Sequence, residues 1–389
     1  MLGLLLSPAA ADTTPLATQL LDTLPHEPAA YAAACANPAN PIVAENCRPG
    51  TDAWIIRNPT QEISLYPAVD SVNLGGSLDF FVQSAGAAYS LSIYRNGYYA
   101  GLGGRLVHHV ANLPGQWQPA CNQFPMVGLG TCSRWLVSYT LAIPTDWVSG
   151  IYIAIIRRLD TGGENYTVFV VRDDQRDSAI LYQQSVATYQ AYNQYAGKSL
   201  YSHISSICPT VAEQPRAVKV SLNRPYYQPQ TVPNIYFRAE YPMVRWLEAQ
   251  GYDVTYSTNL DTHRSGKPGA RNELLDHPVF LAVGHDEYWS KEMRAAITAA
   301  RDAGVHLGFF TSNTSFWRAR FEPDPLTGEP DSVMVSYKTT ESGPSDPGGE
   351  PTTTWRDPQG ANDPENSLQG VMYVGDNGAF YFQLRITAA

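Results

Sequence analysis

The stretch Gly284-His285-Asp286-Glu287-Tyr288-Trp289 holds the densest concentration of side chains able to do chemistry. It follows the apolar run Val279–Val283, which reads as a buried strand. It precedes Ser290-Lys291-Glu292-Met293, which reads as a helix start capped by Ser290. Open α/β sheets bind ligands at the carboxyl ends of their strands. While the backbone stays extended, His285 and Glu287 point to the same side. A helix-capping acidic turn, whose histidine only bonds nearby backbone, would use the same residues.

Two other predicted strand ends carry polar clusters. One is Thr188-Tyr189-Gln190-Ala191-Tyr192-Asn193, continuing to Gly197-Lys198-Ser199-Leu200-Tyr201; the other is Thr311-Ser312-Asn313, followed by Phe316-Trp317-Arg318-Ala319-Arg320. In a parallel sheet all three lie along one edge. A serine nucleophile needs a Gly-x-Ser-x-Gly elbow, which is absent. Cys208 sits in a loop-like stretch, Ser205-Ser206-Ile207-Cys208-Pro209, a poor setting for a thiol nucleophile. There is no glycine-rich phosphate loop. A metal remains. Phenolate and carboxylate oxygens are hard anionic donors suited to a cation such as ferric iron. A free tyrosine ionises at about pH 10, so binding it as phenolate near neutrality needs a strongly charged ion. Such an ion also acidifies water and polarises carbonyls. With 24 tyrosines in the chain, composition does not say which would serve.

The elements that must position these residues fall into two regions. From 53 to 173 the pattern is β throughout, with roughly seven short strands such as Leu78–Val82 and Tyr166–Val170 implying an immunoglobulin-like β-sandwich. Asn96-Gly97 signals a hairpin turn. From 174 to 389 strands alternate with helices, one opening near Pro242 and stopping at Gly251, another running from Ser290 to Gly304. That alternation predicts a doubly wound, mostly parallel sheet. Residues 322–366 read as long surface loops, and 370–382 as a hairpin turning at Asn377-Gly378.

The 389 residues, 44% hydrophobic and 16% charged, describe a globular multidomain chain. A net charge of −10 argues against nucleic-acid binding. Residues 1–11 resemble the remnant of an export signal, as if translation were assigned to start too late, and 12–52 read as an extended leader. Cys35 with Cys47, and Cys121 with Cys132, are suited to two short-loop disulfides in an oxidising, secreted or periplasmic compartment. No stretch approaches the roughly 20 apolar residues of a membrane span.

Several motifs together resemble the N,N-dimethylformamidase large-subunit (beta-subunit) family. They are Ile93–Tyr99 with Gly103-Gly104-Arg105-Leu106, Tyr189–Asn193, Lys198–Tyr201, Asn223-Arg224-Pro225-Tyr226, Glu240-Tyr241-Pro242 with Arg245-Trp246-Leu247, the Gly284–Trp289 stretch, and Trp317-Arg318. The resemblance implies an α/β domain like that of class I glutamine amidotransferases. It also implies a mononuclear Fe(3+) centre held by two tyrosines and a glutamate, hydrolysing a small amide. Carried over residue by residue, it assigns Glu287 and Tyr192 (with Tyr189 as the alternative) as ligands, and Tyr201 (with Tyr241 as the alternative). His285, Asn313 and Lys338 become neighbours of the metal; in the mechanism expected of such a site, His285 or Asp286 moves protons. The departures are Asp286 where the family has proline, a shorter stretch between the tyrosine motifs, and an apparent early end within the α/β domain. No small partner subunit is evident in the sequence, and a homo-oligomer stays open. A non-catalytic secreted binding protein on a degenerate scaffold is the rival expectation.

Overall fold

The computed structural model describes residues 34–201, 216–227, 233–339 and 346–374. The expected export-signal remnant, Cys208 and the turn at Asn377-Gly378 lie outside the described residues. The sequence predicts an extended leader, but its described end contains a helix, α1 (Pro41–Asn46). Asn40 caps it by accepting from the Val43 N–H, and Pro41 presets the first turn. Composition hid this pair of start signals. The expected disulfides Cys35–Cys47 and Cys121–Cys132 are both formed.

Ten strands follow, where roughly seven were expected for a sandwich: β1 (Ile63–Pro67), β2 (Ser71–Asn73), β3 (Ser77–Ser84), β4 (Tyr89–Asn96), β5 (Gly104–Leu113), β6 (Asn122–Phe124), β7 (Leu129–Thr131), β8 (Tyr139–Ala142), β9 (Gly150–Arg158) and β10 (Glu164–Arg172). They form a three-stranded sheet β1-β3-β8, a five-stranded sheet β2-β10-β9-β4-β5 and a β6-β7 ribbon. Leu78, Phe80 and Val82 alternate inward along β3. They meet Leu91, Tyr152, Ile156 and Phe169 of the larger sheet in one core. The opposite face of that sheet is buried too. Ile151, Ile153 and Ile155 of β9, with Val168 and Val170 of β10, join a second core shared with Tyr182, Tyr189, Val244 and Leu281.

The β4–β5 connection differs from a two-residue Asn96-Gly97 turn. It runs through residues 97–103 with one 3-10 turn, Tyr99–Gly101. Asn46 Oδ1 accepts from the Tyr98 and Tyr99 N–H groups at 2.7 and 3.0 Å. Trp54 Nε1 donates to the Leu102 carbonyl at 2.9 Å. These tertiary contacts override the local turn preference.

Beyond residue 179 lie β11 (Ile180–Gln184), α2 (Val186–Tyr192), β12 (Lys219–Ser221), α3 (Tyr241–Ala249), β13 (Val254–Thr258), α4 (Asn259–Ser265), β14 (Val279–His285), β15 (Tyr288–Ser290), α5 (Lys291–Asp302), β16 (His306–Ser312), β17 (Trp317–Glu322), β18 (Val333–Val335) and α6 (Asn366–Gln369). A parallel sheet has the order β13-β11-β14-β16. The chain leaves β11 toward β13 and later returns on the other side to form β14. The carboxyl ends of β11 and β14 therefore flank the point where strand order reverses, the usual place for a ligand. Ser290 caps α5 by accepting from the Met293 N–H, as expected. Pro242 lies in the first turn of α3, which continues a π-helical stretch, Pro233–Glu240.

A second four-stranded sheet, β12-β18-β17-β15, was not anticipated. Its strands are three to six residues long, and β18 comes from the stretch 322–366 read as surface loops. The described residues of 322–366 have little regular structure, yet they fold inward, burying Lys338, Thr352, Thr353 and Trp355.

One buried ionic network joins these parts. Arg95 of β4 is fully buried and grips Glu248 of α3 with both terminal nitrogens, at 2.8 and 2.9 Å. Asn46 of α1 and Tyr256 of β13 donate to the same carboxylate at 2.7 and 2.8 Å. Removing one partner of such a pair leaves an uncompensated charge in the interior. Arg95→Met is therefore expected to lower unfolding free energy by about 3–5 kcal/mol, read from urea midpoints against the unaltered protein.

Candidate active site

The site forms where α2 leaves β11 and the Gly284–Trp289 turn leaves β14. Gly284 has φ +86°, and an added Cβ would come 2.5 Å from the Glu240 Cγ. Only glycine fits this bend so closely against α3's leading residue. Past the bend the side chains alternate. His285 and Glu287 share one side, with Nε2 3.4 Å from Oε2. Asp286 faces the other way and is fully buried, accepting from Gln183 Nε2 at 2.7 Å and Asn259 Nδ2 at 3.0 Å. Period-two alternation removes it from the group that surrounds Glu287.

Two phenols converge on Glu287. Tyr201 donates to Oε1 at 2.6 Å, and Tyr192, at the last turn of α2, donates to Oε2 at 3.3 Å. Their rings stack with centroids 4.4 Å apart. The alternatives are engaged elsewhere. Tyr189 donates to Glu240 at 2.5 Å and Tyr241 to the Gly103 carbonyl at 3.0 Å. His285 Nε2 also lies 3.2 Å from the Tyr192 hydroxyl. Its Nδ1 lies 3.1 Å from the Ser312 carbonyl, which can only accept. The Ser312 hydroxyl lies 3.2 Å from the same nitrogen; a proton on Nδ1 serves the carbonyl and leaves Nε2 either to take the Tyr192 proton in place of Glu287 or, when charged, to donate to Glu287.

Asn313 follows Ser312 at the carboxyl end of β16 with φ +51°. Its Oδ1 is buried without a hydrogen bond among the described residues. Lys338, also left-handed at φ +51°, places Nζ 3.5 Å from the centre of the Tyr201 ring and 4.8 Å from that of Trp317. It also donates to the Leu200 carbonyl at 3.4 Å. Sequence reasoning passed over Tyr288, although it is part of the leading motif. Its hydroxyl donates to the Tyr201 oxygen at 2.7 Å. It passed over Glu240 as well, whose carboxyl lies behind Gly284.

Burial sets the protonation of this cluster. Burial, then the charge of Glu287, pushes the Tyr192 phenol far up, and burial with neighbouring Tyr288 and Glu287 does the same to Tyr201. Burial pushes Glu287 up too. The hydrogen bond and charge of His285, the Lys338 charge and the Tyr201 hydroxyl outweigh it and hold the carboxyl below its usual range. The result is one carboxylate between two protonated phenols. A cavity of about 290 Å³ between Arg172, Glu273 and His277 lies elsewhere and includes none of these groups.

A family model described as N,N-dimethylformamidase beta subunit-like, C-terminal, matches residues 90–388. The match begins within β4 and so spans the β region from that strand onward and all the site residues. The chain belongs to this family. No curated protein matches it.

Glu240 supplies a pH signature of its own. Burial raises its carboxyl to about 8 from an ordinary 4.5, against hydrogen bonds from Tyr189 and Ser185 that favour the charged form. A group that holds its proton more tightly folded than unfolded contributes fully below the unfolded value. That contribution is lost as pH rises from about 4.5 through about 8. Glu240→Gln is expected to remove a downward slope of stability across that window, measured as urea midpoints of both proteins at successive pH values.

Proposed function

We propose that this family member hydrolyses the C–N bond of a small linear amide, with Tyr192, Tyr201 and Glu287 holding a mononuclear ferric ion. The supporting observation is the meeting of both phenol oxygens with the two oxygens of one buried carboxylate, at 2.6 and 3.3 Å. The donor set fits a hard trivalent cation. Among the described residues no three His, Cys, Asp or Glu side chains converge, so a cation here would have to draw on the phenols. Membership of a dimethylformamidase-like family supports amide hydrolysis as the reaction class.

Bound there, ferric iron would acidify water and polarise a carbonyl oxygen. The chain's own residues supply the rest. Tyr192 and Tyr201 give up their hydroxyl protons on becoming ligands. His285 moves a proton at Nε2, held in orientation by the Ser312 carbonyl at Nδ1. Asn313 donates a hydrogen bond to the oxyanion that develops on the substrate. Lys338 adds positive charge beside Tyr201. Asp286 anchors the turn through Gln183 and Asn259 instead of carrying protons.

The β region, residues 53–173, we read as an immunoglobulin-like sandwich. Residues 174–389 we read as the catalytic α/β domain, akin to class I glutamine amidotransferases. The two disulfides support a secreted or periplasmic setting. Among the described residues no helix is long and apolar enough to cross a membrane. The family description names a beta subunit, so a partner subunit or a homo-oligomer is a matter for mass measurement in solution.

The test uses the purified chain loaded with ferric iron. A phenolate-to-iron absorption band is expected, along with amine release from small formamides. Glu287→Gln and Tyr192→Phe are each expected to cost more iron affinity than the about 10- to 100-fold typical of residues behind the ligands. Amide hydrolysis that survives Glu287→Gln, or an iron-loaded protein with no such band, would count against the reading.

A further inference from the structure

Tyr288 stands outside the proposed ligand set, yet it is fully buried and its hydroxyl is aimed at one ligand atom. Its position is fixed by β15, where it pairs in register with Trp317 of β17. Its ring meets that of Tyr201 edge-on, centroids 6.4 Å apart. Hydrogen bonds run in one direction, from Tyr288 to the Tyr201 oxygen at 2.7 Å and from Tyr201 to Glu287 Oε1 at 2.6 Å. The Tyr192 oxygen has a different setting, beside His285 Nε2 and Glu287 Oε2. The two phenols are therefore chemically inequivalent.

We infer that Tyr288 is a positioning residue for the Tyr201 oxygen, its hydroxyl holding that oxygen where it meets Glu287. This rests on the ferric reading above. When Tyr201 releases its own proton to solvent, the bond from Tyr288 remains and becomes charge-assisted, hence shorter and stronger. A phenolate that accepts such a bond holds its electrons at lower energy than a bare one. Its charge-transfer transition to iron then lies at higher energy. A buried tyrosine that merely satisfied its hydroxyl would influence stability without moving that transition.

The experiment compares the iron-loaded full chain with Tyr288→Phe, which keeps the ring. The phenolate-to-iron band is expected to shift to lower energy. Iron affinity, read by competition with a chelator, is expected to fall about 10- to 100-fold, the weight of one hydrogen bond to a charged group. If the phenylalanine variant fails to fold, 3-fluorotyrosine at position 288 retains ring and hydroxyl while donating more strongly, and the band should move to higher energy. Unchanged band energy and affinity in the folded variants would overturn the role of Tyr288 and leave the iron reading intact. An unaltered protein with iron bound and no phenolate band would overturn both.

Discussion

A single buried carboxylate shared between two phenols is the constraint around which the C-terminal half is organised. Glu287 can stay charged in the interior only because hydroxyls, an imidazole and an ammonium surround it. Each comes from a different element. Tyr192 ends α2, Tyr201 lies beyond it, His285 ends β14, and Lys338 arrives from the irregular stretch after β18. No local segment could assemble that group. The parallel sheet brings the β11 and β14 ends side by side, and the second sheet carries Tyr288 and Trp317 beneath them.

The backbone around Glu287 is as constrained as its side chain. Gly284 lets β14 turn against Glu240, and the Glu287 N–H finds the Thr188 hydroxyl at 3.0 Å. Behind that bend, Glu240 collects the hydroxyl of Tyr189, so the tyrosine three residues before Tyr192 serves the core. One helical turn thus sends one tyrosine to Glu240 and the other to Glu287. Burial alone does not separate such roles. The partner of each hydroxyl does.

Much of the site was legible in the sequence because its signals are local. The His-x-Glu spacing on an extended backbone placed His285 and Glu287 on one side, and Ser290 announced α5. The same alternation turns Asp286 to the opposite side, toward Gln183 and Asn259. What escaped depends on contacts far apart in the chain. The loop after Asn96 is shaped by Asn46 and Trp54, and the sheet β12-β18-β17-β15 unites β17 with three strands of three residues each from distant parts of the chain. Tyr288 went unnoticed because, among 24 tyrosines, nothing local marks the one whose hydroxyl meets another phenol.

The continuous apolar character of β9 and β10 acquires its meaning from the two cores they separate. One face fills the β layer, and the other supports the helices and the parallel sheet. A divider that is greasy on both sides has no surface to offer water if either neighbour is missing. The border between β and α/β regions is therefore a change of topology along the chain and not a seam along which it could be cut. The scaffold that carries Glu287 thus leans on a wall it shares with the other half.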